Sequence, residues 1–156
     1  MKKICFLFVL LLAFSGCSRE TMDMTPEKAA EVVLTEYGEN TGFVRADEDF
    51  LTTNFGSRDY VRESAVYFSE NGDGNEFGFF RLSDEQYSDE MIAAVEEYIN
   101  SERQSVQSLA SLYPADELSD RLQRFDSATV GHMGDLVYYF ITEPTIAKNA
   151  VRRFRG

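Results

Sequence analysis

Residues 60–82 read YVRESAVYFSENGDGNEFGFFRL and indicate the fold of the chain. In residues 60–68 and 76–82 apolar side chains recur with a period of two, which is typical of β-strands. Asn71-Gly72-Asp73-Gly74-Asn75 separates the two runs, and this composition favours a tight reversal of the chain. The segment therefore predicts an antiparallel hairpin.

A second hairpin is predicted near the C-terminus. Residues 128–132 and 136–141 form its strands, and Met133-Gly134-Asp135 forms its turn. The last strand, Leu136-Val137-Tyr138-Tyr139-Phe140-Ile141, is apolar on both faces. Such a strand is usually central in a sheet and covered on both sides, or it turns one face towards a partner. Covering by the N-terminal helices is the simpler explanation.

Helical spacing predicts five helices around these hairpins. The first helix would begin after the cap Thr25 and end at Gly38, and the second would begin after Asp47 and end near Gly56. The third is a long helix from Ser83 or Ser88 to about Leu112. The fourth contains Leu118, Leu122 and Phe125, and the last begins at Pro144. After residue 60 the order strand-strand-helix occurs twice. The sequence therefore predicts an α+β fold, a small two-layer domain in which helices pack on a four-stranded, mainly antiparallel sheet of two hairpins.

The N-terminus has the features of a bacterial lipoprotein signal. Lys2 and Lys3 precede an apolar run at residues 4–14. Secretory signals contain apolar runs of about 7–15 residues, whereas a membrane-spanning helix needs about 20. Two small residues and a cysteine then follow in Ser15-Gly16-Cys17. The pattern predicts lipid attachment at Cys17, and the alternative is an ordinary cleaved signal with an incidental cysteine.

These features divide the chain into three parts. Residues 1–16 are predicted to be a cleaved signal peptide, residues 17–24 a lipidated tether, and residues 25–156 a single globular α+β domain. Cys5 would be removed with the signal, which leaves Cys17 as the one cysteine of the mature chain. Acylation with palmitate or similar chains explains a lone thiol outside the cell, because an internal disulfide has no second cysteine to use.

Charge limits the partners of the mature domain. The chain has 27 acidic and 15 basic residues, and two of the basic residues, Lys2 and Lys3, belong to the predicted signal. A surface this acidic repels nucleic acid, so we expect no nucleic-acid partner. We expect contact with the membrane through the lipid anchor, at the extracytoplasmic face of the bacterial cell membrane. Other partners would be an envelope protein or a cell-wall component.

Several segments together resemble a known family. They are the predicted lipoprotein signal, the strand Ala65-Val66-Tyr67-Phe68, the strand residues 76–82, the long helix ending at Tyr113-Pro114, and the segment Gly134-Asp135 with residues 136–141. In this order they resemble the bacterial lipoproteins of domain-of-unknown-function family 4358, over roughly residues 44–154. The resemblance implies the outer face of a single cell membrane and assigns no activity, ligand or catalytic residue. Gly78 and Arg81 depart from its pattern, and the glycine predicts a weaker centre of that strand.

The candidate catalytic and metal-binding residues have simpler structural explanations. His132 is the only histidine and has no G-x-S-x-G nucleophile elbow to accompany it, so we predict no catalytic triad. Asn71, Asp73 and Asn75 alternate like calcium ligands, but the glycine and the final acid that such a loop requires are missing, and a turn explains them better. The acids at the start of the long helix are explained by the helix dipole; they are Asp84, Glu85, Asp89 and Glu90. We therefore predict no catalytic, cofactor-binding or metal-binding residue.

The sequence leaves two classes of function open. The leading hypothesis is a membrane-anchored extracytoplasmic lipoprotein that acts as a non-catalytic binding or interaction module at the cell envelope. The alternative is a cell-wall hydrolase that uses acidic residues, which requires two carboxyl groups facing each other across a cleft.

Overall fold

The protein is described by a computed structural model that covers residues 24–38, 42–109, 112 and 114–155. Its elements are α1 (Pro26–Tyr37), β1 (Phe43–Arg45), α2 (Glu48–Phe55), β2 (Val61–Ser69), β3 (Glu76–Leu82), a 3-10 turn (Glu85–Tyr87), α3 (Ser88–Ser108), α4 (Ala115–Asp126), β4 (Thr129–Met133), β5 (Leu136–Ile141) and α5 (Pro144–Phe154). The predicted signal and Cys17 lie outside the described residues. The α+β class, both hairpins and the five helices are confirmed.

The sheet has five strands, so the prediction of four is wrong. Its order is β1-β2-β3-β5-β4, and every neighbouring pair is antiparallel. The additional strand β1 pairs with the C-terminal end of β2, with Phe43 opposite Ser69. Three residues are too few for a period of two to be visible in a sequence, which is why this edge strand was not predicted.

Helices cover both faces of the sheet, in place of the single covered face of a two-layer domain. On one face α1 and α5 pack against Phe77 and Phe79 of β3 and Phe140 of β5. On the other face α2 and α3 pack against Phe80 and Tyr139. Three layers result because the central strands β3 and β5 carry apolar side chains on both faces, and each face needs a cover. Every residue of β5 is buried.

Gly78 makes room for the ring of Tyr139 on the neighbouring strand. A Cβ atom added at Gly78 would lie 2.3 Å from Cε1 of Tyr139 and 2.8 Å from Cγ2 of Val66. Both distances are below any real carbon contact, so a larger residue would displace the tyrosine. The glycine is therefore required by packing between β3 and β5, and the closely packed aromatic ring offsets the flexibility that glycine brings to the strand.

The two ends of the sheet differ. At the end formed by Leu82 and Leu136, the guanidinium of Arg81 donates to the backbone oxygen of Met24 at 2.7 Å, so the chain enters the domain here. We call this the entry end. At the opposite end, Glu76 of β3 pairs with Ile141 of β5. We call this the far end, and α1 runs towards it, because Tyr37 in its last turn contacts Thr142, the residue after β5.

Alanine substitutions at Tyr139 and Phe140 test the covered sheet. Their side chains point to opposite faces, with 0% and 1% of each residue exposed. Each substitution should lower the free energy of unfolding by about 3–5 kcal/mol, because each removes a buried aromatic ring. Leu112→Ala is the control, since Leu112 is 74% exposed and should change the stability little. Urea unfolding of the three variants measures this, and a near-neutral result at Tyr139 or Phe140 would contradict the three-layer packing.

Candidate functional site

Helix α4 presents a polar stripe to the far end of the molecule. Its apolar side chains Leu118, Leu122 and Phe125 recur at helical spacing, and Phe125 packs against the core on the α3 side of the sheet. The polar stripe lies beside this apolar one and consists of Asp120, Gln123, Arg124 and Ser127. Folding α4 back onto α3 therefore leaves four polar residues directed at the loop between β5 and α5.

A cleft of about 150 Å³ lies between α4 and this loop. The walls combine carboxylates, a guanidinium, an amide and two hydroxyls, and the lining residues are Asp120, Gln123, Arg124, Ser127, Thr142, Glu143 and Pro144. Thr142 is only 1% exposed, whereas Asp120, Gln123 and Glu143 are exposed. The cleft thus has a buried hydroxyl at its base and charged groups around its opening.

Hydrogen bonds hold the base of the cleft in place. The hydroxyl of Thr142 is hydrogen-bonded to that of Tyr37, and the hydroxyl of Ser127 donates to the backbone oxygen of Gln123 at 2.8 Å. Burial raises the pKa of Tyr37, and the hydrogen bond with Thr142 opposes this shift. Tyr37 therefore stays neutral, and its hydrogen bond with Thr142 joins the end of α1 to the loop that follows β5.

Arg124 connects the cleft to the turn between β2 and β3. Its Nη1 donates to the backbone oxygen of Asp73, which ties α4 to this turn. Its Nε is buried and has no hydrogen-bond partner within the described residues, and the same holds for Nε of Arg121. A buried N–H without an acceptor costs about 1–3 kcal/mol, so this arrangement of Arg124 lowers the stability of the fold.

The carboxylates of the cleft are not neutralised by the protein. Asp120 lies on α4 and Glu143 on the β5–α5 loop, so they belong to opposite walls. Within the part of the chain that the structure describes, neither side chain forms a hydrogen bond or an ion pair. Four oxygen atoms therefore remain available to accept hydrogen bonds at the opening.

A second polar group lies deeper at the far end. Glu76, at the start of β3, is mostly buried and accepts hydrogen bonds from Tyr98 of α3, at 2.9 Å, and from Tyr139 of β5. Burial raises the pKa of Glu76 to about 7, the two tyrosine hydroxyls oppose the shift, and the nearby charge of Glu102 adds to it. This carboxyl joins three elements but does not line the cleft.

The raised pKa of Glu76 predicts a pH dependence of stability. Its folded pKa of about 7 lies above the ordinary value of 4.5, so the folded state binds more protons between these pH values. Stability from this group is therefore present below about pH 4.5 and is lost as the pH rises towards 7, by at most about 3 kcal/mol. Urea unfolding between pH 4.5 and 8 should show this loss in the wild type and not in Glu76→Gln.

Glu97→Gln is the matched control for that measurement. Glu97 is exposed on α3, the helix that also carries Tyr98. Its substitution therefore removes a negative charge that lies in solvent, whereas Glu76→Gln removes one that is mostly buried. It should leave the pH profile of stability parallel to that of the wild type. A Glu76→Gln profile that is also parallel to the wild type would show that Glu76 titrates as an ordinary exposed carboxyl.

His132 and the acidic residues at the start of the long helix lie away from the cleft. His132 is exposed in β4, where its Nδ1 lies 3.2 Å from the backbone oxygen of Gly134. Asp84 accepts from the backbone N–H of Gln86 at 2.9 Å and so caps the 3-10 turn. Both belong to the entry end. Glu85 lies in that turn, and Asp89 and Glu90 form the first turn of α3, as the helix-dipole interpretation predicts.

The β2–β3 turn has the structure that its composition favours. Asp73 accepts a hydrogen bond from the backbone N–H of Asn75 at 2.9 Å, and the backbone N–H of Asn71 donates to Ser69. Across the described residues, no group of three or more His, Cys, Asp or Glu side chains is placed to hold a metal ion. The turn instead contributes a backbone oxygen to Arg124.

Sequence reasoning did not find the cleft residues. Asp120, Gln123, Arg124 and Ser127 recur at i, i+3, i+4 and i+7, which is one face of a helix, and this spacing was the available signal. Their partner Glu143 comes from a loop, and only the tertiary fold brings it opposite α4. From the sequence, Glu76 is an ordinary polar residue at a strand end, and only the tertiary fold brings Tyr98 and Tyr139 against it.

Comparisons with known proteins return no relative. No model of a known protein family, no curated protein and no solved structure matches this chain. In addition, none of the helices in the described ranges is both long enough and apolar enough to cross a membrane. The cleft must therefore be interpreted from its own chemistry.

Proposed function

We propose that the protein is a lipoprotein, anchored at the extracytoplasmic face of the cell membrane through Cys17, that binds a component of the cell envelope in the α4–α5 cleft. The observation that carries this proposal is a polar cleft whose two carboxylates lie on two different elements and have no hydrogen-bond or ion-pair partner among the described residues. A ligand with hydroxyl or amino groups can donate hydrogen bonds to both carboxylates at once.

The position of the cleft supports this arrangement. The chain enters the domain at Met24, whose backbone oxygen contacts Arg81 at the entry end, and the cleft lies at the far end. Seven residues separate Cys17 from Thr25, and an extended chain spans about 3.3–3.6 Å per residue, so the tether reaches at most roughly 25 Å. The tether therefore joins the domain at the end opposite the cleft.

Family resemblance is consistent with this location. The likeness to the bacterial lipoproteins of domain-of-unknown-function family 4358 contributes the expectation of an anchored, extracytoplasmic protein. It contributes no ligand, so the binding function rests on the cleft alone.

Substitution of Cys17 tests the anchor. Metabolic labelling with a palmitate analogue should tag the wild-type protein in the membrane fraction and leave Cys17→Ala unlabelled. Cys5→Ala is the control, because Cys5 lies in the predicted signal and its loss should leave labelling intact. Equal labelling of Cys17→Ala and the wild type would show that Cys17 is not the acylated residue.

Charge-removing substitutions test the cleft. The double variant Asp120→Asn with Glu143→Gln, the cleft pair, should co-sediment with isolated cell envelopes at least fivefold less than the wild type. The reason is that both substitutions weaken the hydrogen-bond acceptors at the opening. The control pair Glu96→Gln and Glu97→Gln removes the same number of charges from the exposed face of α3. Equal loss in both pairs would indicate a general charge effect in place of a site.

Hydrolysis remains the second candidate because of one geometric feature. Asp120 and Glu143 lie on opposite walls of the cleft, as the two carboxyl groups of glycoside hydrolases do. An enzyme of that kind would release soluble sugar fragments from purified cell wall, and Asp120→Asn alone would abolish the release. A binding module instead retains the wall fragments without cutting them.

A further inference from the structure

We infer that the cleft recognises the hydroxyl groups of a neutral sugar ring, through Asp120, Gln123, Arg124 and Glu143. This inference deepens the proposed function and rests on it. It follows from three properties of the site, which are the mixture of charges in its walls, its size, and the adjoining groove, which carries two leucines among polar residues.

The charges of the walls select against simple ions. Asp120 and Glu143 would repel an anion such as phosphate, and among the described residues no group of three His, Cys, Asp or Glu side chains is placed to hold a metal ion. A hydroxyl group is both a donor and an acceptor, so neighbouring hydroxyls can donate to a carboxylate and accept from a guanidinium or an amide. Asp120, Arg124 and Gln123 occur within one turn of α4, which places these complementary groups side by side.

The guanidinium of Arg124 is held in place beside the cleft. Its Nη1 donates to the backbone oxygen of Asp73, and its Nε–H is enclosed by the protein and not accessible from the cleft. Its other terminal nitrogen, Nη2, forms no hydrogen bond among the described residues. This nitrogen can donate to a ligand hydroxyl, and the hydrogen of the same hydroxyl can go to a carboxylate.

Size and surroundings favour a ring within a longer chain. A cavity of 150 Å³ is known to accommodate a six-membered ring such as benzene, and the cleft has about 150 Å³. Gln123 also borders an open groove along the outer side of α4, where Leu118 and Leu122 are half-buried. Sugar rings have apolar C–H faces, and this groove is positioned to pack the face of a neighbouring ring.

Titration of the full processed protein in detergent micelles tests the inference. The probes are N-acetylglucosamine, its β-1,4-linked disaccharide, inorganic phosphate and glycine, and binding is followed by calorimetry and by amide chemical shifts. We expect the disaccharide to bind at least tenfold more tightly than the monosaccharide. Asp120→Asn with Glu143→Gln should weaken disaccharide binding at least tenfold, and Glu96→Gln with Glu97→Gln should not.

The contrary outcomes are distinct. Binding of phosphate or glycine without binding of either sugar overturns the sugar assignment, and so does sugar binding that the cleft pair leaves unchanged. If no probe binds but envelope co-sedimentation still depends on the cleft pair, the ligand class is wrong and the binding function stands. If co-sedimentation is also insensitive to the pair, the proposed function fails as well. Equal thermal midpoints of all variants exclude misfolding as the cause.

Discussion

The pairing of β3 with β5 at the centre of the sheet determines the rest of the architecture. Both strands carry large apolar side chains on both faces, and Tyr139 fits against Gly78 because the glycine leaves space for its ring. A strand pair that is apolar on both sides exposes too much hydrocarbon unless helices cover each face. Helices α1 and α5 cover one face, and α2 and α3 cover the other.

The length of α3 then determines where α4 lies, beyond the far end of the sheet. Its 21 residues extend over about 31 Å, whereas the seven residues of β3 extend over about 23 Å. Because α3 begins beside the β4–β5 turn, where Ser88 lies 3.4 Å from the oxygen of Gly134, its other end projects beyond the sheet. Helix α4 packs on this projecting end, with Arg103 and Asp126 paired at 2.8 Å. The cleft exists because α4 returns over the strand ends.

The sequence was sufficient for the elements that have a strong local signal. Thr25 and Asp47 cap α1 and α2 as predicted, and the hairpin strands were placed to within a residue or two. The three-residue strand β1 was missed because it depends on pairing with Ser69 and not on its own pattern. The prediction of two layers is wrong for another reason. The sequence shows that β5 is apolar on both faces, but only the tertiary fold shows that α1 and α5 lie together on one of them.

In addition to Ser88 at the entry end, several buried polar groups lie at the far end. Thr142 and Asn75 are buried polar residues there, the carboxyl of Glu76 is held between two tyrosines, and the Nε–H of Arg124 has no acceptor among the described residues. By contrast, the core cluster that contains Phe79 and Leu136 consists of buried apolar side chains, as is usual in a protein interior. Proteins tend to depart from this pattern where function requires it, since each such polar group lowers the stability of the fold. At the far end these groups lie near one cleft, opposite the point where the chain enters the domain, and this arrangement is what the proposed binding function would require.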